Sequence, residues 1–369
     1  LNNNFIGHNN RPGVAVIKQS KGIILEGNQI VENGLAGTAN LAVLQGSRVS
    51  LVNNRVVKGD KVNIYVNGSE ATLLKNGIKE SGAHGLYFIA STGLLEDNTI
   101  TSSDHYGIKL EKGSQVTIKG NKISGSGRWG GSGVGVEDSA ADFQGNQIFN
   151  QQSRAPGFSA WGKNTRVTLT NNKLIGTGCK ISENADAFLE GNHITHNLKA
   201  EEIGVEISSG ARAVLLFNLI ARHGRKGIMV EEAEATILNN NILENALGIE
   251  IDYPVKALIQ NNIIMKNRSG GIECDGTAEN LTLSHNNVWG NTNRPNRPKI
   301  LGFLPEPSLK ERNYIDCPPG RESISADPQF VNYQKSDYNL RKSSPCLKTG
   351  GSSRISHKLA SKPNIGIRQ

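Results

Sequence analysis

Between Gly227 and Asp275 the chain repeats one short phrase: Gly227-Ile228-Met229-Val230, Gly248-Ile249-Glu250-Ile251 and Gly271-Ile272-Glu273-Cys274. Each copy leads to an Asn step, in turn Asn240-Asn241-Ile242, Asn262-Ile263-Ile264 and Asn286-Asn287-Val288. The same Asn-x-apolar step falls at Asn4, Asn28, Asn54, Asn76, Asn98, Asn121, Asn146, Asn172, Asn192, Asn218, Asn240, Asn262 and Asn286, with gaps of 20 to 26 residues. A fixed period of that length marks stacked supersecondary units, each too small to bury its apolar face alone. The thirteen anchors predict about twelve coils.

Between anchors lies a Gly-apolar-x-apolar segment, as in Gly85-Leu86-Tyr87-Phe88, Gly107-Ile108-Lys109-Leu110 and Gly204-Val205-Glu206-Ile207. Alternation of period two makes these half-buried strands. A further short strand precedes each Asn, as in Val116-Thr117-Ile118 and Leu281-Thr282-Leu283. Three strands per turn, each pairing with its equivalent one coil on, give an all-β parallel β-helix. Stacked Asn side chains are expected to bond along the axis and to take the left-handed conformation of a tight corner. The 42 glycines and 5% aromatic content suit short strands and tight turns. The first three coils are less regular, since Asn40-Leu41-Ala42-Val43 and Asn63-Ile64-Tyr65-Val66 lack the leading Gly.

After Asn291 the pattern is expected to stop. Nine of the twelve prolines follow it, and residues 292–369 carry 14 Lys+Arg against 6 Asp+Glu. The whole net charge of +8 therefore sits in this segment, and residues 1–291 are neutral. The division is a β-helix over 1–291 and a Pro-rich basic closing segment over 292–369 that packs over the end or along the side of the solenoid. Without a basic stripe along the coils, nucleic acid is not an expected partner, and no apolar run is long enough to span a membrane. The chain opens at Leu1-Asn2-Asn3-Asn4, without Met and already inside a repeat, so an upstream part is expected. An uncapped first coil invites a protein partner or a second chain.

Cys179 and Cys274 fall at apolar strand positions about four coils apart, roughly 19 Å at the spacing of neighbouring strands, too far to bridge. Both read as core thiols. Cys317 and Cys346 share the tail and are the candidates for a disulfide, which an exported protein permits.

The Asn-x-Ile and Gly-Ile-x-Val steps over residues 4–291 resemble the right-handed parallel β-helix superfamily, which includes pectate lyases, alginate epimerases and NosD-like periplasmic proteins. The resemblance implies a right-handed coil and a polysaccharide as partner; the residues that carry it build scaffold and specify no activity. In the tail, Ala326-Asp327-Pro328-Gln329-Phe330, Ser336-Asp337-Tyr338-Asn339-Leu340, Ser343-Ser344-Pro345-Cys346 and Asn364-Ile365-Gly366 look like the closing segment of exported bacterial β-helix proteins. That likeness implies a bacterial protein, secreted or periplasmic.

Both x positions of the Gly-apolar strand point outward and form two columns. Acids accumulate in the later coils: Glu206, Glu250 and Glu273 in one column, Glu231, Asp252 and Asp275 in the other. Strand geometry places Glu250 about 7 Å from Asp252 and about 5 Å from Glu273, spacings that suit glycoside hydrolysis by Glu250, Asp252, Glu273 and Asp275. Ca²⁺ on Asp252 and Asp275 is the metal alternative, and a solvated face relieved by Arg225, Lys226 or Arg268 is the third. Farther up the face, Asp104-His105-Tyr106 precedes Lys109, with Arg128-Trp129 one coil on. Lyase or epimerase chemistry would use His105 or Tyr106 as base and Lys109 and Arg128 to neutralise a carboxylate. Asp104-His105 is similar to part of the Asp-Pro-His-Asp motif of alginate C5-epimerases, without its Pro and second Asp. Trp129 and Trp161 suit sugar rings, joined by Tyr106, Glu206 and Glu231 as substrate contacts. His193, His196 and His223 read as loop residues. The function expected is binding or processing of an extended polysaccharide, with lyase, epimerase and hydrolase chemistry unresolved; the rival is a non-catalytic scaffold or adhesin.

Overall fold

The computed structural model describes residues 1–149, 151–152, 155–196, 202–276, 280–292, 311–347 and 349–351. Among them there is no α-helix; strands of two to six residues alternate with turns, and a single 3-10 turn spans Tyr333–Lys335. Each full coil gives one strand to each of three parallel sheets, here called the short-strand, Gly-apolar and pre-Asn sheets. The chain is thus an all-β parallel β-helix of about twelve coils with a non-repetitive tail. Two compact units, Leu1–Ala187 and Phe188–Gln369, share this construction.

In the first unit the Gly-apolar strands His84–Ile89, Ile108–Glu111, Val134–Glu137 and Phe158–Trp161 pair in strict register, Tyr87 opposite Lys109 and Lys109 opposite Gly135. Their inward residues Leu86, Phe88, Ile108, Leu110, Val134 and Val136 are fully buried. Each such side chain contributes about 1.5–3 kcal/mol by leaving water, and the register stacks like on like. In the second unit Lys226–Glu231, Leu247–Asp252 and Gly270–Asp275 repeat the arrangement, with Glu250 opposite Glu273 and Asp252 opposite Asp275.

The Asn ladder forms as the sequence predicts. From Asn28 to Asn172, each backbone N–H donates to the next Asn Oδ1 at 2.8–2.9 Å, and each Nδ2 donates to the same oxygen at 3.0 Å. The second unit continues the pattern from Asn192 to Asn286. The left-handed residue at this corner, however, is the one before each ladder Asn: Asn53, Lys75, Asp97, Asn171, Phe217, Asn239, Asn261 and His285 have φ of 53–60°. That residue turns the chain, which leaves the Asn N–H and Nδ2 free to converge on one acceptor.

The other two corners carry ladders of their own. Ser47, Ser69, Ser91, Ser114 and Ser139 are linked by N–H to Oγ bonds of 3.2–3.3 Å. In the second unit Asn245, Asn267 and Asn291 form a second Asn ladder. His223 stands at its head, fully buried, its N–H donating to Asn245 Oδ1 at 3.0 Å and its Nε2 facing Ile194 O at 2.9 Å. His223 lies in the loop between Leu219–Ala221 and Lys226–Glu231, as its sequence position implies, but it is a ladder residue there: its ring edge substitutes for an Asn amide.

The repeat does not stop after Asn291. Asn313 extends the second Asn ladder, accepting from Asn291 Nδ2 at 3.0 Å. Tyr314–Ile315 adds a strand beside Gly270–Asp275, and Arg321 and Ile324 bridge to Ser284 and Asn287, so these residues lay down a partial coil. Ser323 takes the place of a ladder Asn, its Oγ accepting from Asn286 N at 3.1 Å. The pairing of Cys317 with Cys346 is corrected for the same reason. The added strand brings Cys317 to Cys274, and these two form a disulfide with a Cα–Cα distance of 5.3 Å. Cys346 instead lies buried against Asn287 Nδ2, and Cys179 is buried.

Beyond Ser325 the tail lies along the outer face of the short-strand sheet. Phe330, Tyr338 and Cys346, all from the tail phrases noted above, pack on Leu219, Ala221, Leu243, Ile263 and Met265. These five occupy outward positions that are exposed at Lys122, Lys173 and Ile175 in the first unit, so the tail covers apolar surface that water would otherwise meet. Residues Asn364-Ile365-Gly366 lie outside those described.

Candidate functional site

On the outer face of the Gly-apolar sheet in the first unit, the register places Tyr65, Tyr87, Lys109 and Gly135 in one column and Glu111, Glu137 and Trp161 in the next. Lys109 points outward, as its sequence position requires, yet is only 4% exposed. Its Nζ lies 2.8 Å from Glu137 Oε2, 3.2 Å from Glu111 Oε1, and 3.8 Å from the centroid of the Trp161 ring. Tyr106 lies on another side, with Nζ 5.2 Å from its ring centroid.

A buried ammonium survives only when paired and bonded, and here two carboxylates and an aromatic face supply that. Gly135 makes room for it. A Cβ there would sit 2.6 Å from the Tyr106 ring and 3.2 Å from Trp161, so a larger residue in that register position would push both rings off Lys109.

The surrounding groups are tuned by burial. Tyr87 donates to Glu111 Oε2 at 2.6 Å, and burial followed by that bond pushes its hydroxyl pKa up. Burial alone would raise Glu111, but the Tyr87 bond and Lys109 outweigh it and hold the carboxyl below its ordinary value. Burial, then the nearby His105 and Lys109, brings His84 down to about 4. The His84 ring lies 4.9 Å from Tyr87, 5.6 Å from Tyr106 and 5.9 Å from His105.

Of the residues singled out in the sequence, His105, Tyr106, Lys109 and Trp161 therefore belong to one connected set. Arg128 stands elsewhere: it lies over the exposed Trp129 ring at 5.3 Å and lines a cleft of about 320 Å³ with Glu80, Asp104 and Gln152. Glu111 and Glu137 stand in the outer column where the alternation of the strand places them, although the sequence assigns them no role, and His84 is not marked by any repeat position. The roles of the two glutamates depend on the ion pairs with Lys109, which only the packing of adjacent coils brings about.

In the second unit the acid column is partly neutralised. Lys226, nearly buried, pairs with Glu250 and lies 3.3 Å from Met229 Sδ, as expected of a cation relieving this column. Burial and the charge of Glu250 raise the pKa of Glu273, with Arg312 opposing. Glu206 accepts a long bond of 3.4 Å from Ser208 Oγ, and Glu231 is half-buried. Asp252 and Asp275 face each other in register. Calcium takes about six to eight oxygens, and among the described residues no group of three His, Cys, Asp or Glu side chains is placed to hold a metal ion. No helix among the described residues is long and apolar enough to cross a membrane.

The right-handed β-helix region family matches this sequence over residues 36–174, 107–228 and 156–295. No curated protein sequence matches it. Solved structures similar in fold include a mutant of the periplasmic alginate epimerase AlgG, at 14% identity, 85% of this chain, 78% of that chain and a TM-score of 0.50. The A-module of the mannuronan C-5 epimerase AlgE6 of Azotobacter vinelandii gives 14%, 88%, 79% and 0.47. Pectate lyase Pel9A gives 13%, 89%, 87% and 0.43. At these identities the likeness establishes the fold alone.

Proposed function

Because the chain belongs to the right-handed β-helix family, whose coils display side chains in straight columns, we propose that it is an exported protein that binds an extended polysaccharide along the outer face of its Gly-apolar sheet. The observation that carries this reading is the aromatic set Tyr65, Tyr87, Tyr106 and Trp161 gathered around the Lys109 ion cluster. Aromatic faces give sugar rings apolar area with a defined geometry, and the polar groups beside them fix orientation. Likeness to an alginate epimerase supports a glycan as ligand only at the level of the fold. The Cys274–Cys317 disulfide supports export, since such bonds persist in oxidising compartments.

Two carboxylates face one lysine in this cluster, so the face favours neutral or amino sugars over a polyuronate. The same pairing argues against lyase or epimerase chemistry here: Lys109 is already committed to Glu111 and Glu137, and neutralising a substrate carboxylate needs an uncommitted cation. Titration calorimetry against soluble glucans, chitosan oligomers and polyuronates tests the reading. Binding of a neutral or amino glycan that weakens about tenfold or more in Trp161→Ala supports it. A protein that binds none of the panel is a scaffold or adhesin, and the glycan reading fails.

A second reading is favoured by one specific observation in the other unit. Glu273 is pushed up, and its register neighbour Glu250 is ion-paired to Lys226; a raised carboxyl beside an ion-paired one suits an acid and a nucleophile of a glycosidase. New reducing ends from the same glycans, abolished by Glu273→Gln, would establish hydrolysis. Their absence leaves binding alone.

A further inference from the structure

Where the tail crosses the short-strand sheet of the second unit it leaves a cleft of about 240 Å³. Met265 and Trp289 wall it on the sheet side, Phe330 and Tyr333 on the tail side, and Lys266 and Arg341 stand among its lining residues. The aromatic walls are fixed. The Phe330 and Tyr333 rings stack at 6.0 Å and 13°, and the Tyr333 hydroxyl donates to Glu244 Oε1 at 2.7 Å. Glu244 is held in turn by Arg222 Nε at 2.7 Å. Lys266 Nζ lies 3.9 Å from the Tyr333 ring centroid, and Arg341 donates from Nη2 to Val331 O at 3.2 Å.

The polar inventory of this cleft is unbalanced. Two cations line it against one carboxylate, Asp327, whose Oδ1 already accepts from Gln329 N at 2.9 Å. The Gln329 side-chain oxygen is likewise used, accepting from Ser343 Oγ at 2.6 Å. A sugar needs several partners for its hydroxyls, and the carboxylate and amide oxygens lining this cleft are already partly engaged. A flat aromatic ring needs none, and its carboxylate needs only the two cations, the guanidinium offering two parallel N–H groups. Pockets for drug-sized ligands span about 300–1,000 Å³, so this smaller cleft suits a ligand of a single ring.

We propose that this cleft is a binding site for a small single-ring aromatic carboxylate, which lies against Trp289 and pairs its anion with Lys266 and Arg341. The site shares no residue with the glycan-binding face, so either reading can fail without the other. Saturation-transfer NMR titrations of the intact chain with benzoate, benzyl alcohol and glucuronate test it. Benzoate should saturate with a Kd of about 1 mM or tighter, within reach of a ligand this small. It should weaken about tenfold or more in Lys266→Ala/Arg341→Ala, a pair of exposed side chains whose loss leaves the core intact. Charge reversal by Arg341→Glu should abolish it. Three results would overturn the proposal: no saturable benzoate binding, binding of benzyl alcohol or glucuronate as tight as that of benzoate, or affinity unchanged in both variants.

Discussion

Lys109 illustrates how a position that points outward on paper can still be buried. The alternation of Gly107-Ile108-Lys109-Leu110 tells which side of the sheet the lysine takes, and the structure agrees. Its cover depends on Trp161, 52 residues later in sequence, and on a glycine at 135 that lets the ring close. Gly135→Ala is therefore expected to displace Tyr106 or Trp161, cost about 1–3 kcal/mol and red-shift tryptophan emission, which equilibrium unfolding followed by fluorescence would register. His223 gives a residue-scale prediction of a different kind. Burial lowers its pKa to about 4 from 6.5. Above pH 6.5 the ring is neutral in both folded and unfolded chains. Below it the unfolded chain takes up the proton first, so stability falls as pH drops toward 4. His223→Asn keeps the ladder and removes the titration, so between pH 7 and 4.5 the parent should lose about 2 kcal/mol more than the variant in denaturant unfolding.

At the level of the element, the ladder is the unit that the sequence displays most openly, because one residue type recurs at one corner. Asn76 shows what a rung does. It donates twice to Asn98 Oδ1 and once to Leu51 O, and its own Oδ1 accepts twice from Asn54. Asn76→Ala strands the buried Asn54 donors and removes a donor from the Leu51 carbonyl on the preceding coil, while its backbone N–H still bonds Asn98 Oδ1, and should cost roughly 2–4 kcal/mol. A fall in the denaturant midpoint would measure it, and a change within error would mean that the ladder is decorative. The Ser ladder and the second Asn ladder are harder to see in the sequence because each keeps one residue type over only a few coils, Ser47 to Ser139 in one and Asn245 to Asn313, headed by His223, in the other. A column that passes through different residue types has no visible period, although each rung makes the same bond.

For the whole molecule, the closing segment is where sequence reading and structure part most clearly. Its charge and prolines announce that the repeat has changed, and its Phe330, Tyr338 and Cys346 phrases are the ones that become buried. That residues 311–325 lay down a partial coil is decided only when Tyr314–Ile315 finds the open edge of Gly270–Asp275. The Cys274–Cys317 bridge follows from that docking and spans 43 residues. Cys317→Ser, or reductant, should lower stability by about 2–4 kcal/mol, read as a fall in thermal midpoint, and reductant should lower the midpoint of Cys317→Ser no further. Taken alone, the sequence determined the class of fold, the coil count and the side of the sheet on which each acid and lysine stands, because period and alternation are local properties of a strand. Tertiary structure alone decided which outward residues are covered, which cysteines meet and where a cleft opens, because each depends on contacts between segments far apart in the chain.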